Sequence, residues 1–194
     1  PRDTTEEYVA ALAAAGVNRV SIGVQDFDAT VQAAVNRLQP FETVERVANW
    51  LRQHGIGRLN LDLMYGLPHQ TVARVTAMAD HAVKLTPSRV ALFGYAHVPW
   101  MKSHQKLIDE SALPGVDERL AQYLAAADVL IGHGYRAIGL DHFALPGDPL
   151  AEAAAAGQLR RNFQGYTTDG AGVLIGFGAS AIGSLPQGYI QNAA

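Results

Sequence analysis

An arginine followed by a short apolar run occurs three times in the first half of the chain. The segments are Val17–Val24 (VNRVSIGV), Ile56–Leu63 (IGRLNLDL) and Pro87–Phe93 (PSRVALF), and Arg19, Arg58 and Arg89 stand 39 and 31 residues apart. Spacings of that size fit one strand–helix unit, so each run reads as a parallel β-strand with a helix crossing over to the next. The arginines themselves read as solvated strand-entry positions.

The stretches between the runs carry helical periodicity. Thr4-Thr5-Glu6-Glu7 looks like a capping box ahead of Val9, Leu12 and a closing Gly16. Val44, Val47 and Leu51 form one helical face ended by Gly55, and Val75, Met78, Ala82 and Leu85 form another that stops before Pro87. Leu120, Leu124, Ala127 and Ile131 form a fourth, ending at Gly132-His-Gly134. All four stripes read as core. The alternation predicts an α/β fold with parallel strands, either doubly wound or part of a (β/α) barrel, and both place sites beyond the carboxyl ends of strands.

From Asp141 onward the character changes. Pro146-Gly-Asp-Pro149 is a turn, Leu150–Leu159 an Ala-rich helix, and Arg160–Thr168 a polar loop. Val173–Ile175 reads as a strand leading into the Gly-rich run Gly176–Gly183. That strand and run match the opening of a dinucleotide fingerprint, but Pro186 and Gly188 follow where a helix is required. The tail reads as a lid or extra layer.

The composition excludes several functions. Apolar residues make up 48% of the 194, enough for a substantial core, while a net charge of −3 with no basic block gives nucleic acid no footprint. No apolar stretch is long enough to span a bilayer. Without cysteine the chain offers no thiolate nucleophile, disulfide or Cys-ligated metal. None of the seven histidines forms an i,i+4 metal pair, and no G-x-S-x-G elbow is present. A cytoplasmic protein fits this composition.

What remains are polar groups at strand ends: Gln25-Asp26, Asp62 with Tyr65-Gly66, and Tyr95-Ala96-His97. Asp62, between Leu61 and Leu63, is costly unless a partner or ligand satisfies it. Arg37, after a short helix opened by Asp28, could clamp a carboxylate. His97 and His142 are the histidines placed at strand ends.

Six strings in register resemble one family, the oxygen-independent coproporphyrinogen III dehydrogenases of the radical S-adenosylmethionine superfamily. They are Gly23–Phe27 (GVQDF), Val35–Arg37 (VNR), Leu61–Gln70 (LDLMYGLPHQ), Tyr95–Pro99 (YAHVP), Asp141–Pro146 (DHFALP) and Arg161–Thr168 (RNFQGYTT). The related haem-chaperone-like proteins share the DLMYGLP segment. They usually carry Ser at the position of Asp26 and lack the RNFQGYTT segment, which favours the dehydrogenase.

The resemblance implies a partial (β/α)6 barrel holding S-adenosylmethionine and a [4Fe–4S] cluster. It further implies a 5′-deoxyadenosyl radical that drives oxidative decarboxylation of two propionates of coproporphyrinogen III, giving protoporphyrinogen IX, with an electron donor as partner. Gln25, Arg37, Asp62 and the Ala96 backbone match a first S-adenosylmethionine site. Phe163, Gln164 and Ile182 match the position of a second, with the nearby glycines allowing close approach to that ligand. The cluster cysteines are expected upstream of residue 1. Residues 1–115 then supply the last three βα units and 116–194 a following mixed α/β layer, so the polypeptide alone is expected to be inactive. An unpaired edge around Val17–Val24 would invite self-association.

Overall fold

In a computed structural model, residues 1–162 and 165–193 are described. They fall into two compact units, Pro1–Glu152 and Ala153–Ala194. The first takes in everything from the opening helix to the end of the main sheet.

The three arginine-led runs are strands β1 (Arg19–Gln25), β2 (Arg58–Tyr65) and β3 (Arg89–Gly94). They pair in parallel, with Arg19 opposite Arg58 and Asn60 opposite Arg89. Between and around them lie α1 (Glu6–Ala14), α2 (Ala29–Ala34), α3 (Phe41–Gln53) and α4 (Val72–Lys84). Side-chain oxygens start three of these helices: Thr5, Asp28 and Thr71 accept from first-turn N–H groups. The cap of α1 is Thr5, which accepts from Tyr8 N.

The sheet is mixed. After α5 (Val116–Gly132), the short strands β4 (Arg136–Ile138) and β5 (His142–Ala144) complete the order β1-β2-β3-β5-β4, and β5 runs antiparallel to both neighbours. A purely parallel array is therefore corrected at this edge. The connection from β4 to β5 spans Gly139–Asp141, far too short for a crossover helix, so only an antiparallel return is possible. β1 stands at the opposite edge, paired on one side.

The two faces of the sheet differ. Ile22 and Val24, Leu59, Leu61 and Leu63, and Val90 and Leu92 point to one side and form the core with Val44, Val47, Leu51, Val75 and Met78. Each fully buried aliphatic side chain stabilises by about 1.5–3 kcal/mol. Ser21, Asn60, Asp62 and Met64 occupy the other face and are less buried.

Two sequence expectations fail here. Arg89 is 7% exposed, and its Nε donates to Asp148 Oδ1 at 2.7 Å. Its charge is paired from the turn after β5, which no local spacing reveals. In α5, Leu120, Leu124 and Ile131 are exposed, whereas Gln122, Ala126, Ala127 and Leu130 are buried. A hydrogen-bonding glutamine turns the helix: Gln122 Oε1 accepts from Gly66 N (2.9 Å) and its Nε2 donates to Gln70 O (2.9 Å).

That bond belongs to a buried polar web under the ends of β1 and β2. Gln70 Nε2 donates to Asp26 Oδ2 (2.5 Å) and to Met64 O (2.8 Å), while Gln70 Oε1 accepts from Leu67 N (2.7 Å). Asp26 Oδ1 accepts from Asp28 N at 2.7 Å. Asp26 is 1% exposed, and burial raises its pKa above the ordinary 3.8, against the lowering effect of those hydrogen bonds.

The second unit carries α6 (Pro149–Ala155) across its boundary, then two hairpins: β6 (Arg160–Asn162) with β7 (Gly165–Thr167), and β8 (Ile182–Leu185) with β9 (Gly188–Gln191). The Ala-rich helix stops at Ala155, short of Leu159, with Gly157 at φ 66° beyond it. Val173–Ile175 contributes only an isolated bridge, Leu174 to Ser184. The Gly-rich run leads into a hairpin and not into the helix of a dinucleotide fold. A Cβ on Gly183 would lie 2.8 Å from Leu174 O, and one on Gly176 would lie 2.9 Å from Ile182 O. These glycines let backbone pack on backbone.

Replacing Asp26 by Asn tests the web. The new amide N–H would face the Gln70 amide N–H, and Gln70 cannot flip without losing Leu67 and Met64. A loss of about 1–3 kcal/mol is expected in urea unfolding. A raised native pKa means the folded state binds the proton more tightly. This part of the wild-type stability is complete below the ordinary 3.8 and disappears as pH rises through the elevated value. The gap between wild type and Asp26→Asn should therefore widen as pH falls from neutral.

Candidate functional site

A cavity of about 530 Å³ opens at the carboxyl ends of β1, β2 and β3. That is within the usual range for small-molecule sites. Gln25, Arg37 and Ala96 all line it, with Val35, Met64, Leu67, Tyr95 and Val98 forming apolar walls.

Gln25 reaches the cavity through a backbone irregularity. The β1–β2 register slips between Gly23 and Gln25, and Gln25 adopts φ 70°, a left-handed conformation unusual for a side-chain-bearing residue. A bulge of this kind re-aims a side chain at the price of local strain, about 1–3 kcal/mol.

Arg37 follows α2 after Asn36, itself at φ 51°. Its Nη2 donates to Gly23 O at 2.7 Å, and Gln39 Nε2 donates to the same oxygen at 3.3 Å. Its Nε is buried with no hydrogen-bond partner among the described residues. A Cβ on Gly23 would sit 3.1 Å from both Arg37 Nη2 and Gln25 Nε2, so only glycine leaves this corner open without displacing them. Behind Arg37, Gln32 Nε2 donates to Asp26 O and Gln39 O (2.8 Å each) and its Oε1 accepts from Gln39 N (2.9 Å).

Ala96 belongs to a tightly fixed strand exit. Tyr95 N donates to Tyr65 O (2.8 Å), and Arg119 Nη2 donates to Tyr95 O (2.6 Å). Gln105 Nε2 donates to Ala96 O (3.0 Å) while its Oε1 accepts from Val98 N (2.6 Å). His97 contacts Tyr95 Oη through Nδ1 (3.1 Å) and Glu110 Oε1 through Nε2 (3.0 Å).

Asp62 is placed differently from the sequence reading. It lies three residues before the end of β2, not at the end, and is half-buried. Ser21 Oγ donates to its Oδ2 (2.9 Å) and Asn60 Nδ2 to its Oδ1 (2.7 Å). It shares the sheet face of Met64 but is not among the residues lining the cavity. Phe163 and Gln164 lie outside the described residues, and Ile182 opens β8 in the second unit. His142 at the start of β5 is paired through Nδ1 with Asp141 Oδ1 at 2.7 Å.

The sequence reading missed Gln39, Gln105 and Arg119, which hold the backbone around the cavity. Their signal is weak, since each bonds to carbonyls distant in sequence. Among the described residues, no group of three His, Asp or Glu side chains could hold a metal ion.

Comparison with known proteins places these features. Residues 1–82 match the model of the radical SAM superfamily. The chain is 51% identical to the oxygen-independent coproporphyrinogen III oxidase of Paracoccus denitrificans, over 100% of this chain and 43% of that protein. It is 54% identical to that of Bradyrhizobium diazoefficiens, over 99% and 43%. Among solved structures, coproporphyrinogen III oxidase from Escherichia coli, described as a radical SAM enzyme, superposes with a TM-score of 0.92 at 41% identity. The match covers 100% of this chain and 44% of that one, so the chain spans less than half the length of these relatives. By sequence and by fold, the chain belongs with the oxygen-independent coproporphyrinogen III oxidases of the radical SAM superfamily.

Proposed function

We propose that the protein acts in the anaerobic oxidative decarboxylation of coproporphyrinogen III, converting two propionates to vinyl groups to give protoporphyrinogen IX. On this reading S-adenosylmethionine, used together with a [4Fe–4S] cluster, supplies the hydrogen-abstracting chemistry. The cavity at the ends of β1–β3 is its first binding site. Residues 1–115 are then the last three βα units of a partial (β/α)6 barrel, working in the cytoplasm.

The observation that carries this reading is the pairing of an unpartnered, buried Arg37 Nε with Gln25 and Ala96 around one cavity. A guanidinium already anchored through one nitrogen keeps other donors for a carboxylate, and the methionine portion of S-adenosylmethionine carries one. Gln25 offers donor and acceptor to the same ligand, and the fixed Ala96 backbone can face a nucleoside base. Apolar walls at Val35, Met64 and Leu67 exclude water around it. In this reading Asp62 accepts hydrogen bonds from ribose hydroxyls or the amino group, and Phe163, Gln164 and Ile182 serve a second S-adenosylmethionine. The cluster is a different matter. With no cysteine in the chain, its ligands are not among these residues.

Three results are expected. In the holoenzyme, Arg37→Ala should weaken S-adenosylmethionine binding by about 2–3 kcal/mol in titration calorimetry, with Arg37→Lys recovering only part of that. Gln25→Gly removes both a ligand contact and the left-handed strain. It should lower cofactor affinity while the melting temperature holds or rises, a split that a merely structural glutamine would not give. The 194-residue polypeptide alone should develop no cluster absorbance on anaerobic reconstitution and no turnover. Its open β1 edge should make it larger than a monomer in light scattering.

A further inference from the structure

We propose that the loop leaving β3, from Trp100 to Leu107, is the shelf on which the porphyrinogen docks; this rests on the function proposed above and assigns that substrate a place. Between Tyr95 and Ile108 the chain has Lys102, Lys106, His97 and His104 and no Asp or Glu. Beside the two lysines, Trp100, Met101 and Leu107 are 77%, 73% and 88% exposed. Single exposed apolar side chains are ordinary, but three within eight residues of one loop form a patch that calls for an occupant.

The loop is not slack. Gln105, 9% exposed, ties it to the backbone at both Ala96 and Val98, and His97 bridges Tyr95 and Glu110. An anchored loop presents its apolar tip at a small entropic cost on binding. It is also continuous with the cavity: Lys102, His104, Gln105 and Ile108 line the same space as Gln25, Arg37 and Ala96.

The chemistry selects the occupant. A tetrapyrrole macrocycle is a broad apolar ring rimmed by carboxylates. Aromatic and thioether surface suits the ring, and lysines beside it suit the propionates. The arrangement puts the ring on the shelf and directs one arm toward Lys102 and His104, where the loop borders the cofactor cavity.

The test uses the holoenzyme with Trp100→Ala and Lys106→Glu, both outside the cavity lining, and Lys106→Arg as the conservative partner. Coproporphyrin III, an oxidised macrocycle with the same carboxylate arms, serves as the equilibrium probe through its own fluorescence. Both disruptive variants should raise its Kd by about tenfold. They should raise the KM for coproporphyrinogen III in parallel, leaving kcat and S-adenosylmethionine affinity unchanged, and Lys106→Arg should restore both. Unchanged porphyrin binding in variants of normal melting temperature overturns the shelf. So does an equal loss of S-adenosylmethionine affinity, which would give the loop to the cofactor, or a loss confined to cluster reduction, which would give it to an acidic electron donor. A wild-type holoenzyme that binds coproporphyrin III yet does not decarboxylate the porphyrinogen refutes the proposed reaction and leaves the shelf standing.

Discussion

Where β1 ends, the chain must leave the sheet while keeping the last residue of the strand aimed at the cavity, and buried amide side chains make that possible. Gln32 joins Asp26 to Gln39, Gln39 reaches Gly23, and Gln70 joins Asp26 to Met64 at the end of β2. Gln122 extends the chain of bonds into α5. Gln32, Gln70 and Gln122 each use both the carbonyl and the amide group of the side chain, so none of the three can rotate without leaving a buried partner unmet. Apolar packing alone would hold the strands together but would not set the direction of Gln25 or the depth of Arg37. The positions of both follow from carbonyls that these amides and Arg37 itself fix.

The regular part of the fold is written in periodicity. Arg19, Arg58 and Arg89 mark the entry of the three parallel strands because the residues after them alternate between two unlike faces. The stripes Val44–Val47–Leu51 and Val75–Met78–Ala82 lie on the core as their spacing demands. Periodicity fails where polar bonding outweighs it. The stripe Leu120–Leu124–Ile131 is more apolar than the face through Gln122, yet Gln122 is the one buried, because it satisfies two backbone groups that would otherwise be orphaned. Arg89 likewise stays hidden from a local reading, since its partner Asp148 lies 59 residues on.

The site shows the same division. Gln25 and Ala96 stand out in the sequence at strand ends and Arg37 after the short helix opened by Asp28, and all three share one cavity. Asp62 stands out for the opposite reason, as a charge between leucines. In a strand with only one face in the core that signal says less, because its neighbours on its own face are Ser21 and Asn60. The left-handed Gln25 and the register slip after Gly23 leave no trace in residue type, for nothing about a glutamine announces φ 70°. Strain of this sort depends on the surrounding bonds and becomes visible only with them.

Two local costs thus meet at one strand end: a buried carboxylate at Asp26 whose proton affinity is raised by burial, and a strained backbone at Gln25. The strain at Gln25 is not explained by stability, since a glycine there would be easier to fold, whereas Asp26 is held by the two N–H donors it satisfies. The two costs are coupled through one peptide segment. Asp26 stops the chain from relaxing after the bulge by accepting from Asp28 N, the residue that also caps α2. Because α2 delivers Arg37, easing the strain at Gln25 would loosen the guanidinium as well. The apolar layer beneath, from Ile22 and Val24 to Leu61 and Leu63, is what lets the fold carry both costs at the place where the cavity opens.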